Sequence, residues 1–191
     1  MDALLLKHTL SEHFDITGDW YVDSHGLVNV RGTVKLYNKD ITHLPVRFGI
    51  ITGRFHIYNV DLENLTGAPH TVYGDFHAET CPFMTTLEGA PHTVTDYFAV
   101  QEAPLQDLVG FPSTCGHALV EYSLHLPVLR MLQCTRHMDF FVSDGDRVKE
   151  RAAREVVKIL RNPKWRGKGK LGMLNCALEL KKSGFEGNAK W

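Results

Sequence analysis

Histidine is the residue through which this chain comes nearest to chemistry. There are eleven in 191 residues, and four of them keep an interval: His56 and His77 stand 21 apart, His70 and His92 22 apart. Around the first pair, Asp75, His77 and Glu79 alternate, so an extended strand points all three to one side. A facing His56 would complete an acid–base cluster, and stacked repeats would bring each histidine pair within reach of one ion. No nucleophile accompanies them, and there is no G-x-S-x-G, P-loop or H-E-x-x-H pattern. Lys35 and Ser113 occupy the equivalent places in other repeats, so outward-facing polar positions explain the histidines. No catalytic residue, metal site or cofactor is assigned, and an enzyme is the least favoured class.

The four cysteines, Cys81, Cys115, Cys134 and Cys176, include no C-x-x-C pair of the kind that zinc or redox sites need. They read as free thiols of a reducing compartment. Cys115 and Cys134 are 19 apart, close enough to one repeat to stack on adjacent turns. A cationic cluster is the third candidate: Arg161, Lys164, Arg166, Lys168 and Lys170 surround Trp165. Such a set holds phosphates while the indole stacks on a base. The competing explanation is a basic loop docked on an acidic domain. Residues 1–146 carry 8 Lys+Arg against 18 Asp+Glu, a balance of −10, whereas residues 147–191 carry 13 against 4, or +9. Mimicry of nucleic-acid charge is disfavoured, because the carboxylates are scattered among histidines.

The elements that must position these groups are repeated ones. Apolar residues three apart recur as Ile41/Leu44, Leu62/Leu65, Met84/Leu87, Leu105/Leu108 and Leu126/Leu129, the first members separated by 21, 22, 21 and 21 residues. Val34, Phe55, Phe76 and Phe98 keep step, and "LTGAPHTVYGDF" (65–76) is nearly copied in "LEGAPHTVTDYF" (87–98). Self-similarity at this period is the mark of a solenoid. Val34/Leu36, Phe55/Ile57, Phe76/Ala78 and Phe98/Val100 predict one short strand per turn, apolar inside and with Lys35, His56 and His77 outside. The "GAP" segments suit tight corners.

The fold expected is mainly β with C-terminal helices: a leucine-rich-repeat-like β-solenoid of about five 21–22-residue turns, capped at both ends. Residues 1–30 form an N-terminal cap, with Leu4, Leu5, Leu6 and Leu10 available for burial and a hairpin looping through "DSHG" (23–26). The acidic solenoid covers 31–142, with "MDFF" (138–141) able to close a last turn. Residues 143–191 form a basic helical cap. Its first helix is capped by Asp144 or Asp146 and apolar through Val148, Ala152, Val156 or Val157 and Leu160. A second, apolar through Leu171, Leu174, Leu178 and Cys176, stops at Gly184.

At 43% apolar and 23% charged residues the composition is that of a globular protein. No apolar run is long enough to span a bilayer. The opening "MDALLLKHTL" is too short for a secretory leader and has Asp2 where positive charge is needed. A soluble cytoplasmic protein is expected.

The phrase L-x-G-A-P-x-T-V-x-G-D-F, with a leucine three residues upstream, resembles a repeat found in predicted proteins of tailed bacteriophages, where units close to "LTSLEGAP-x-x-V-GGDF" follow an "LPVKFG"-like opening. "LPVRFGIITGRF" (44–55) is similar to that opening, and the tail "GKGKLGMLNCALELKKSGFEGNAKW" is similar in style. The likeness covers roughly residues 28–141. Thr95 and Asp96 depart from the usual Gly-Gly. The resemblance implies a phage origin, a leucine-rich-repeat-like fold and a place in the host bacterial cytoplasm or the virion. It transfers no catalytic residue.

Stiff solenoids are commonly used to bind proteins. The first functional expectation is therefore a non-enzymatic protein that binds a host or phage protein, blocking a host function or an antiviral defence. Its contact residues would be Arg54, His56, Tyr73, His77, His92 and Tyr97. The alternatives are a structural virion component and nucleic-acid binding through the basic tail. The oligomeric state is not encoded in any motif.

Overall fold

A computed structural model describes residues 3–135 and 137–190; Asp2 and Trp191 lie outside them. The chain starts with helix α1 (Ala3–His13) and an antiparallel pair, β1 (Asp15–Val22) and β2 (Val28–Lys39). Seven further strands follow: β3 (Phe48–Ile51), β4 (Phe55–Val60), β5 (Thr71–Val72), β6 (Phe76–Glu79), β7 (Thr93–Gln101), β8 (Thr114–Glu121) and β9 (His137–Phe141). Helix α2 (Met131–Cys134) precedes β9, and α3 (Arg147–Arg161) and α4 (Gly169–Lys182) follow it.

From β2 onward every strand pairing is parallel, which makes the chain a β-solenoid of about five coils. The long ladder runs β2-β4-β6-β7-β8-β9, and a shorter one joins β3, β5 and the starts of β7 and β8. Register is kept from coil to coil: Val34, Phe55, Phe76, Phe98, Ala118 and Met138 are successive partners. All six are buried, and the rings of Phe55, Phe76 and Phe98 stack at 5.8 and 5.4 Å. Opposite them lie the leucine pairs, all buried except the partly covered Ile41. No coil could bury this surface alone, so each depends on its neighbours.

Two kinds of corner turn the chain. In "LxGA", the amides of Ala68, Ala90 and Phe111 donate to the carbonyls of Leu65, Leu87 and Leu108 at 2.9–3.0 Å. Gly67, Gly89 and Gly110 occupy the third place with φ of +100°, +83° and +88°, the geometry of a type II turn. A Cβ on Gly110 would sit 2.0 Å from the Leu87 carbonyl oxygen of the coil before, so close stacking also demands glycine there. The second corner falls at Asn38, Asn59, Thr80 and Glu102, all left-handed with φ of 52–56°. Asparagine tolerates that region, whereas threonine and glutamate do so at a cost.

The hairpin forms the N-terminal end, turning where the Asp23 carboxylate accepts from the amides of His25 and Leu27. Of the four leucines expected inside, Leu10 is buried and Leu6 half-buried, but Leu4 and Leu5 are exposed. Leu6 and Leu10, four apart, lie on the face of α1 turned to the core, and Leu4 and Leu5 fall outside it. At the other end β9 closes the final coil and α3 packs on it. The Asp146 carboxylate caps α3 by accepting from Val148 and Lys149 amides. Ala153, Val156, Val157 and Leu160 are its buried residues; Val148 is exposed.

The expected apolar face of α4 is corrected. Leu171, Leu174 and Leu178 are exposed; Cys176 is buried as expected, but with Gly172, Met173, Ala177 and Leu180 beside it. A Cβ on Gly172 would lie 2.0 Å from the Trp165 carbonyl oxygen, so the side that packs is the one with the small residues. Gly184 (φ +84°) ends the helix in a Schellman motif, with Phe185 N–H donating to Leu180 O and Gly184 N–H to Lys181 O. Beyond it Asn188, fully buried, binds the tail to the last coil. Its Oδ1 accepts from the Tyr122 hydroxyl at 2.9 Å, and its Nδ2 donates to the carbonyls of Ser123 and Leu126.

Candidate functional site

The outward positions of the long ladder form rows because the pleat sends every second residue to solvent. Lys35, His56 and His77 are in register in one row, and Tyr37, Tyr58 and Glu79 in the next. Where the rows meet, the histidines form a cluster. The His56 and His77 rings lie 5.3 Å apart. His77 Nδ1 and Glu79 Oε1 are 2.9 Å apart, and His56 Nδ1 is 2.7 Å from the Tyr37 hydroxyl. His56 Nε2 points towards Glu79 Oε2 across 3.8 Å; it is buried and has no hydrogen-bond partner. Burial lowers the pKa of His56 below the ordinary histidine value, and Glu79 only partly offsets this. The imidazole is therefore neutral near pH 7.

The stretch Asp75–His77–Glu79 does project to one side, but its members divide. Asp75 turns to Arg54, accepting from Nε at 3.1 Å and Nη2 at 2.7 Å, and also takes the Tyr97 amide. Burial works to raise the Asp75 carboxyl, but these donors outweigh it and hold the group below the usual carboxylate value. Glu79 and His77 pair with each other.

The six expected contact residues are thus not one patch. Arg54, His56, His77 and Tyr97 share the outer face of the long ladder, where Tyr97 stacks on His117 at 4.8 Å. Tyr73 is exposed at the bend after β5. His92 stacks flat on His70 at 5.2 Å beside the shorter ladder, away from the other histidine pair. Sequence reasoning left out Tyr37 and Tyr58, although the alternation that singled out His56 continues through both.

In the basic cluster the indole and Arg166 are turned inward, whereas Arg161 and Lys164 stay at the surface. Trp165 is buried and its Nε1–H donates to the Ile159 carbonyl, so the indole has no open face for a base. Arg161 donates to the Met138 carbonyl and forks onto Asp139 at 2.8 Å, and Arg166 donates to the Thr135 carbonyl. Lys164 lies over the Trp165 ring at 4.1 Å. Lys168 and Lys170 are exposed. Arg161 and Arg166 thus tie the helical segment to the final coil, while the three lysines stay at the surface.

All four cysteines are free. Burial pushes the thiols of Cys81, Cys115 and Cys176 up to about 12, far from reactive thiolate. Cys115 and Cys134 line one surface cleft with Thr135 and His137. Among the described residues, no helix is long and apolar enough to cross a membrane. Comparison with protein-family models, curated proteins and solved structures finds no significant match to this chain.

Proposed function

We propose that this is a non-enzymatic protein-binding repeat protein of phage origin, and that it engages a host or phage protein through the outer face of its long ladder. One observation carries the reading: Tyr37, Tyr58 and Tyr97 stay exposed on a rigid parallel sheet, interleaved with His56, His77, Arg54 and Asp75. Tyrosine gives a large amphipathic contact at low entropic cost, and aromatic and arginine side chains are enriched where interfaces concentrate their binding energy. The coils hold these side chains in place before any partner arrives, which limits the ordering cost of binding. A host protein whose activity is blocked by occupation of that face is the preferred partner.

The test is affinity capture from bacterial lysate with the tagged full-length chain, with and without nuclease. A stoichiometric protein that survives nuclease and is lost with Tyr58→Ala plus Tyr97→Ala supports the reading. Capture that vanishes with nuclease would move the function to Lys168 and Lys170 in the basic cap. Recovery only of phage structural proteins from an infected lysate would make it a virion component.

A further inference from the structure

We infer that His56, His77 and Glu79 form a binding site for a divalent transition-metal ion, with Zn2+ as the test ion. The inference does not depend on the protein-binding reading. One ligand atom from each residue lies within 4.8 Å of the other two. Two imidazoles and a carboxylate are a donor set suited to zinc and its neighbours, and three protein ligands leave a position open for water.

Two features separate this trio from a ladder of surface charges. The first is the unpartnered Nε2 of His56, buried beside a carboxylate oxygen that at 3.8 Å lies beyond hydrogen-bonding distance. Buried polar atoms without a partner are rare and call for an unseen water or ion. A cation between Nε2 and Glu79 satisfies both atoms. The second is the Tyr37 hydroxyl, 2.7 Å from His56 Nδ1. When that oxygen accepts from Nδ1–H, the lone pair sits on Nε2, and a second-shell acceptor of this kind orients metal-binding histidines. Of the two cationic side chains whose charge acts on His56, Lys35 and Arg54, the second is paired with Asp75.

Ligand atoms on one tetrahedral zinc lie about 3.3 Å apart, given metal–ligand distances of about 2.0–2.1 Å. Closing the site therefore shortens the ligand-atom separations by up to about 1.5 Å, through rotation of the half-buried His77 and Glu79 side chains. The backbone is fixed by the β4–β6 register, which places His56 opposite His77. Among the described residues His70 and His92 have no third ligand, and their Nδ1 atoms face Thr71 and Thr93.

The experiment is calorimetric titration of chelator-treated full-length protein with Zn2+, repeated with Co2+ for its visible spectrum. The expected result is one ion per chain with micromolar affinity and a Co2+ spectrum carrying imidazole–carboxylate bands. Affinity should fall at least about tenfold in His77→Ala and in Glu79→Gln, about tenfold in Tyr37→Phe, and not at all in His92→Ala. Circular dichroism of each variant confirms that the fold is kept. Failure to saturate at millimolar Zn2+, or binding unaltered by His77→Ala, would overturn the assignment. In the second outcome the ion is held by the exposed histidines elsewhere.

Discussion

Arg54 and Asp75 are 21 residues apart in sequence and one coil apart in space, with Arg54 Nε and Nη2 both donating to Asp75 Oδ2. The pair ties β4 to the bend before β6 and is half open to water on the arginine side. Asp75→Asn should therefore cost only about 0.5–1 kcal/mol at pH 7. Because the folded-state pKa of Asp75 lies below its unfolded value of 3.8, its contribution is present above that value. It is lost as pH falls through the lower folded value. Urea denaturation of wild type and variant at neutral pH and below pH 3 should show the difference shrinking with acid.

Thr80 is a β-branched residue in the left-handed region (φ 56°), in a column whose earlier members are Asn38 and Asn59. Asn59 Nδ2 donates to Asn38 Oδ1 at 2.9 Å, so asparagine at 80 can extend an existing ladder. Thr80→Asn removes the hydroxyl's bond to Glu102 but relieves the backbone. The net expectation is a gain of about 0.5–1 kcal/mol, read as a higher urea midpoint at unchanged slope. A lower midpoint would mean that the Thr80–Glu102 bond outweighs the strain.

The buried cysteines give a probe of cooperativity. Cys81, Cys115 and Cys176 should resist a thiol reagent in the native protein, since burial both hides the sulfur and holds the pKa near 12. Cys134 is only half-buried and should react first, still slowly, because burial raises its pKa too. Mass spectrometry of timed alkylation should show one adduct well before the rest, and four in denaturant. Early modification of Cys81 would indicate that the central coils open locally.

Asn188 holds three partners at once, two of them in buried hydrogen bonds. Asn188→Ala leaves the Tyr122 hydroxyl and the Ser123 and Leu126 carbonyls without their donor or acceptor, at a cost of about 2–4 kcal/mol. Limited proteolysis of the variant should release the segment after α4 while the coils stay protected. A variant as resistant as wild type would show that Phe185 and Ala189 suffice to anchor it.

The coils were readable from sequence because each is specified several times over. The phenylalanine column, the leucine pairs and the LxGA turn all carry the same period, and periodicity survives local drift such as Thr95–Asp96. The second corner escaped notice because Thr80 and Glu102 contradict the left-handed preference that Asn38 and Asn59 announce. At the C-terminal end there is no repetition to read. Trp165 has the composition of a stacking platform around it, yet its ring is buried and its Nε1–H is taken by the Ile159 carbonyl. On α4, spacing favoured the leucines, whereas close approach favoured the glycine and alanine side. The histidine cluster lay between these cases: its members were visible, but the division between Asp75 and Glu79 was not, since both lie on the same side of one strand. Only the place of Arg54 resolves it.

In-register stacking also makes the coil a unit of length. Adding or removing one shifts everything beyond it by about 4.8 Å along the axis while leaving the lateral pattern unchanged. The separation between the hairpin end and the helical end can therefore change only in discrete steps. A lineage that needed a longer or shorter span could reach it by duplicating or deleting about 21 residues, with no redesign of either end.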